Sequence, residues 1–125
     1  MQVWVCTDFR DLNLVTPKDE YVMPIADMLV DVVAKHGFLT FMDGHFGYNQ
    51  IFMAEDVHKI TFCCPSALGI YEWLIMSFGL ENARPTYQRD MILIFHYAIG
   101  KNMEVYIDDE VVNSTNMSQH LADLE

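Results

Sequence analysis

Asp108 and Asp109 stand side by side between two short strand-like runs, Met103 to Ile107 and Glu110 to Val112. Carboxylates between apolar strands are costly to hold unless a positive charge compensates them. Asp43 closes another apolar run, Phe38 to Met42, in the same way. Strand ends from different hairpins of one sheet can converge, so the three aspartates are expected within a small volume. Like charges that close raise one another's pKa unless a cation neutralises them. Oxygen ligands without His or Cys select hard ions, so Mg²⁺ is the expected ion, with Mn²⁺ as its substitute. Each signal alone also has an ordinary alternative: Asp-Asp in a hairpin is common turn chemistry, and one Asp after a strand is commonly a cap.

Holding these acids requires strands and a backing layer. Pro24, Ile25, Met28, Leu29, Val32 and Val33 have helical spacing, with His36-Gly37 as a stop, which predicts a helix over 24–36. Phe38 to Met42 and Asn49 to Ala54 read as strands around a glycine-bearing turn, Gly44 to Gly47. Lys59 to Cys64 and Ile70 to Met76 read as a second strand pair, joined by the turn chemistry of Pro65 to Gly69. Tyr87, Met91, Ile94, Phe95 and Ala98 recur at three and four, predicting a long helix over 82–99 with Asn82 as N-cap and Gly100 past its end. The spacing of the last two strands makes Asp108-Asp109 a two-residue hairpin loop, and Ser118 opens a further helix. Strands and helices mix without a βαβ rhythm, so the class is α+β.

The length of 125 residues fits one domain able to bury a core, and 52% hydrophobic residues with 13% aromatics are globular values. No apolar run is long enough to span a bilayer, and the first residues lack a signal-peptide pattern, so an intracellular protein without membrane contact is expected. Cys6, Cys63 and Cys64 are odd in number and lack metal spacing, which predicts buried, reduced thiols. A net charge of −11 argues against a free-standing nucleic-acid binder, because grip on phosphate needs Lys and Arg.

Tyr106-Ile107-Asp108-Asp109 resembles the Tyr-X-Asp-Asp box of reverse transcriptases. Further blocks match the gypsy-type LTR-retrotransposon branch of that family in order. Asp8-Phe9-Arg10-Asp11-Leu12-Asn13 and Tyr21-Val22-Met23-Pro24-Ile25 are similar to two early blocks, and Phe41-Met42-Asp43-Gly44 with Gly47-Tyr48-Asn49-Gln50-Ile51 to a third. His58-Lys59, Tyr71-Glu72-Trp73, Met76 to Ala83 and Thr86-Tyr87-Gln88-Arg89 continue the likeness, which covers nearly the whole chain.

The resemblance implies the antiparallel-sheet palm of a right-hand polymerase, an RNA-directed DNA polymerase that adds deoxynucleotides to a primer on an RNA or DNA template. Asp43 and Asp108 would hold two Mg²⁺ ions, and Asp109 would complete the acidic cluster. Tyr48 matches the ring beneath the incoming sugar that rejects a 2′-hydroxyl. Phe78 and Gly79 match the nucleotide pocket, and Tyr106 with Ile107 the neighbourhood of the primer end. Core packing is the competing role for the aromatics, expected for Phe41, Trp73 and Tyr87 and evenly balanced for Phe78. Lys59 and Arg10 stand in matching blocks but equally suit solvated surface, and Arg10 also suits pairing with an acid.

By this likeness residues 1–23 end the fingers, 24–116 form the palm and 117–125 start the thumb connection. Fingertips, thumb and RNase H regions would belong to a longer Pol polyprotein, and this segment would not polymerise alone. The acidic palm without its basic partners would explain the net charge. Departures from the family pattern are Trp4 and Glu81 at usually basic positions, Ser77 for proline, Arg84-Pro85 for small residues, and Glu110 for an apolar residue. The alternative is a non-catalytic retrotransposon remnant acting as a folded interaction module, for which exposed apolar surface is the feature to look for. An unrelated acidic metal-binding module leaves the other blocks unexplained.

Overall fold

The alternation of side chains along a strand decides which face it buries, and in this chain that pattern is clearest beside the acidic pair. A computed structural model describes residues 6–44, 46–54, 60–63 and 69–125. In chain order the elements are α1 (Arg10–Val15), α2 (Ala26–Val33), β1 (Phe38–Asp43), a 3₁₀ turn (Gly47–Gln50), β2 (Thr61–Cys63), β3 (Ile70–Glu72), α3 (Ala83–Ile94), β4 (Met103–Tyr106), β5 (Asp109–Ser114) and α4 (Met117–Asp123). The chain forms two compact units, Met1–Asp19 with Phe46–Ala83, and Glu20–His45 with Arg84–Glu125.

The second unit contains an antiparallel sheet in the order β1-β5-β4. β1 runs against β5 from Phe38↔Ser114 to Asp43↔Asp109, and β4 against β5 from Met103↔Val112 to Tyr106↔Asp109. Met103, Val105, Glu110 and Val112 share the buried face, as the period of two requires. The opposite face, with Phe41, Glu104, Tyr106, Asp109 and Val111, meets Ala26, Leu29, Val30 and Val33 of α2 around a cavity of about 270 Å³. Those α2 positions repeat at three and four, so one stripe of the helix faces the sheet.

A polar chain anchors α4 to this sheet. Asn116 caps the helix by accepting from the Gln119 backbone N–H at 2.9 Å. The Ser114 hydroxyl donates to Asp123 at 2.5 Å, so at its oxygen it accepts from His120 Nδ1, 3.0 Å away. On the other side of the ring, His120 Nε2 lies within hydrogen-bond distance of the Thr40 hydroxyl, at 2.8 Å.

In the first unit β2 pairs with β3 through Phe62↔Tyr71, and Phe62 also packs against Trp73. Trp73 Nε1 donates to Thr7 Oγ1 at 3.0 Å. Two asparagines from the matching blocks then clasp each other's segment. Asn13 donates to the Gly79 carbonyl at 2.8 Å and accepts from the Glu81 N–H at 2.9 Å. Asn82 donates to the Pro17 carbonyl and accepts from the Asp19 N–H, both at 2.9 Å.

Several expectations are corrected. Residues 49–54 do not form a strand: Phe46, at φ 53, turns the chain into the 3₁₀ turn, and only Phe52 bridges, to Ile75. Arg10–Val15, to which the sequence pattern assigns no element, forms α1, its start held by Asp8, which accepts from the Arg10 backbone N–H and side chain. The helix predicted over 24–36 is shorter, since Ile25 is extended and Pro24 therefore lies outside the first turn. The long helix ends at Ile94, where the Ala98 N–H bonds back to Phe95 in a tighter turn. β3 stops at Glu72 rather than Met76, leaving Ile75 a single bridge. Cys6 and Cys63 are exposed free thiols, because Cys63 closes a two-stranded pair and Cys6 precedes the first helix. Phe41, expected in the core, is 67% exposed at the α2 cavity. Trp4, Cys64, the Pro65 to Leu68 turn and His58-Lys59 lie outside the described residues.

Candidate active site

The three aspartates are set by backbone register. Asp43 ends β1 directly across from Asp109, the first residue of β5. One step further the Gly44 N–H donates to the Asp108 carbonyl at 2.9 Å, which extends the ladder past the strand end. The two-residue loop is Ile107-Asp108, one position earlier than the spacing indicates, because Tyr106 pairs with Asp109. Ile107 takes φ 55, supplying the left-handed backbone that a tight hairpin requires. Asp108 consequently sits on the turn and Asp109 in the ladder.

Juxtaposed backbones do not close a cage. Among the described residues no three His, Cys, Asp or Glu side chains gather to hold a metal ion. Asp43 and Asp109 are exposed, and Asp108 is half-buried.

The buried neighbours register the accumulated charge. Burial, then the charges of Glu110, Asp108 and Asp43, pushes the Tyr87 hydroxyl up to about 12. Glu110 is only 5% exposed, and its carboxyl is raised by burial first and then by Asp43, Asp109 and Asp108, while its own backbone N–H works the other way. Its side chain turns to the α3 side of the sheet. The Oε1 atom lies 3.3 Å from the place of a side-chain carbon on Gly44, and the Tyr87 hydroxyl occupies that same place, so only glycine fits after Asp43. The donors are hard oxygens in a field already strongly negative, which fits a hard divalent cation.

Of the other residues singled out by sequence, Tyr106 and Ile107 belong to this hairpin. Tyr48, Phe78 and Gly79 belong to the other unit, where Tyr48 is buried and meets Phe78 edge-on at 4.8 Å. Phe78 is 56% exposed and not a core residue. Gly79 turns at φ 92 with the Phe9 ring 3.5 Å from its missing side chain. Arg10 pairs with Asp8 at 2.6 Å on the surface.

Gln88, Asn13 and Asn82 have roles that the sequence pattern does not indicate, apart from Asn82 as a cap. Gln88 is wholly buried; it accepts from the Ile107 N–H at 2.6 Å and donates to the Val105 carbonyl at 3.1 Å. The available signal was an amide in register with the buried Met91, three positions on in α3.

The family model described as Reverse transcriptase (RNA-dependent DNA polymerase) matches residues 1–125. The chain is 37% identical over 122 residues to the retrovirus-related Pol polyprotein from transposon 297 of Drosophila melanogaster, and 38% over 119 residues to that from transposon gypsy. These matches take in 97% and 94% of the chain but only 11% of either polyprotein. An RNA-directed DNA polymerase homolog of Oenothera berteroana is 34% identical over 96% of the chain and 86% of its own length. In fold, the crystal structure of prototype foamy virus protease-reverse transcriptase superposes with a TM-score of 0.75 at 17% identity, covering 94% of this chain and 15% of that one.

Proposed function

This chain belongs to the reverse transcriptase family, and from that premise we propose that it is the palm segment of an RNA-directed DNA polymerase whose carboxylates are Asp43, Asp108 and Asp109. The carrying observation is the ladder that sets Asp43 beside Asp109 and Gly44 against Asp108. Asp43 and Asp108 are the residues that would hold the metal. Two Mg²⁺ ions bound there, or Mn²⁺ in their place, would supply a lowered pKa at the primer 3′-hydroxyl and charge neutralisation at the triphosphate. Asp109 keeps the local field negative. By the family match Tyr106 and Ile107 would be residues of the primer end, and Phe78, Gly79 and Tyr48 would be nucleotide-binding residues, with Tyr48 the one that rejects a 2′-hydroxyl.

In this reading residues 24–116 are palm, the remaining polymerase and RNase H parts belong to a longer polyprotein, and the partners are an RNA or DNA template with its primer. No helix among the described residues is long and apolar enough to cross a membrane. Primer extension on an RNA template with Mg²⁺, by a full-length family polymerase carrying this segment, tests the reading. Extension that disappears in Asp108→Asn supports it, and no extension even with the natural aspartates rejects it. The exposed apolar side chains of Leu14, Phe52, Leu74 and Leu93 favour a second reading, a folded interaction module without catalysis, and the negative outcome would support that one.

A further inference from the structure

The turn that carries Asp108 is held in a conformation its own residues disfavour. Ile107 lies at φ 55, and a β-branched side chain is strained in that region. Among the described residues β4 is an edge strand, so its backbone groups facing away from β5 meet no neighbouring strand. One of them, the Val105 carbonyl, and the Ile107 N–H just past the strand are both met by one side chain of α3, that of Gln88. Its carboxamide takes the place of one residue of a neighbouring strand, bonding on both sides of Tyr106. Tyr87, the residue before it, occupies the space beside Gly44. Consecutive residues of α3 thus touch the backbone beside both Asp43 and Asp108.

We propose that Gln88 is a positioning residue for catalysis: its buried carboxamide holds the strained Ile107-Asp108 turn in the register that presents Asp108 to metal. This rests on the assignment of Asp43 and Asp108 as the metal-holding carboxylates. A glutamine that merely filled core space would act independently of the residue at 107, whereas a clamp on a strained turn depends on that strain.

The test titrates Mn²⁺ into the chain and follows water-proton relaxation, with the wild type and Asp108→Asn setting the scale. Gln88→Met keeps the volume and removes both hydrogen bonds; its Mn²⁺ affinity is expected to fall about tenfold, as when a partner that orients a metal ligand is lost. Ile107→Gly accepts a left-handed φ without strain and is expected to restore most of that loss in the double variant. Unchanged affinity in Gln88→Met overturns the inference alone, and so does a loss that Ile107→Gly fails to relieve. Mn²⁺ binding indifferent to Asp108→Asn overturns the carboxylate assignment and the inference with it. Should Gln88→Met not fold by circular dichroism, Gln88→Glu replaces it, keeping the acceptor for Ile107 and losing the donor to Val105. Hydrogen exchange at the Ile107 amide then decides, with protection supporting the clamp and its absence overturning it.

Discussion

The Asp108 hairpin and the Gly79–Asn82 segment are secured by the same device at different depths. In each, a side-chain amide donates to one backbone carbonyl and accepts from a nearby N–H. Gln88 does this with no exposure at all, while Asn13 and Asn82 do it half-exposed. Water competes for the asparagine bonds and is excluded from the glutamine pair, so equal geometry carries unequal energy. The strained turn has the buried clamp, and the segment beside the relaxed helix α1 makes do with two shallow ones.

The largest expected effect tests that depth. Gln88→Met leaves the Val105 carbonyl and the Ile107 N–H without partners in the interior, and a loss of about 3 kcal/mol in urea unfolding is expected. A loss below about 1 kcal/mol would mean that water reaches the turn, erasing the distinction between the two regions. Next comes Glu110→Val, which removes a buried carboxylate from beside Asp43, Asp108 and Asp109. It is expected to stabilise the fold by about 1 kcal/mol, read as a higher melting temperature at neutral pH with a chelator present. Equal melting temperatures would show that the carboxylate finds water.

On the shallow side, Asn13→Ala and Asn82→Ala are each expected to cost about 0.5–1 kcal/mol. Because they clasp the same two segments, the double variant should cost less than the sum, which a double-mutant cycle measures. Strict additivity would separate the two clasps. The smallest effect is at Asp8, which the Arg10 side chain and backbone hold at about 2, below the usual 3.8. A depressed carboxyl contributes stability that is complete above its unfolded value and is lost as pH falls through the folded one. The pair is exposed, so Arg10→Gln should leave the melting temperature nearly unchanged while carbon NMR shows the Asp8 titration moving upward.

The backbone pairing of Asp43 with Asp109 is legible because each acid interrupts an apolar run at a strand end. Apolar spacing sets the hairpin loop one residue late because isoleucine is a poor candidate for a left-handed turn, and tertiary bonds from Gln88 override that preference. α1 went unseen because Arg10 to Val15 shows no apolar stripe; it has no buried residue, and its start depends on a side-chain contact. Ile51, Phe52 and Met53 look like strand residues, yet the backbone turn at Phe46 decides otherwise. The clamping amides were invisible for a different reason: their partners are backbone groups, which leave no letter in the sequence.

The pairing of β1 with β5 runs unbroken from Phe38↔Ser114 to Asp43↔Asp109, and that continuity bears on how copies of this gene can diverge. Side chains along these strands can be exchanged one at a time. A codon gained or lost within them cannot be absorbed so easily, because a slip of one residue sends every later side chain to the opposite face. At one end it would carry Asp109 to the side of Glu110, and at the other it would pull Ser114 from His120 and Asp123. Lineages that keep the acidic pair should therefore vary in length at the turns and keep the codon count of β1 and β5.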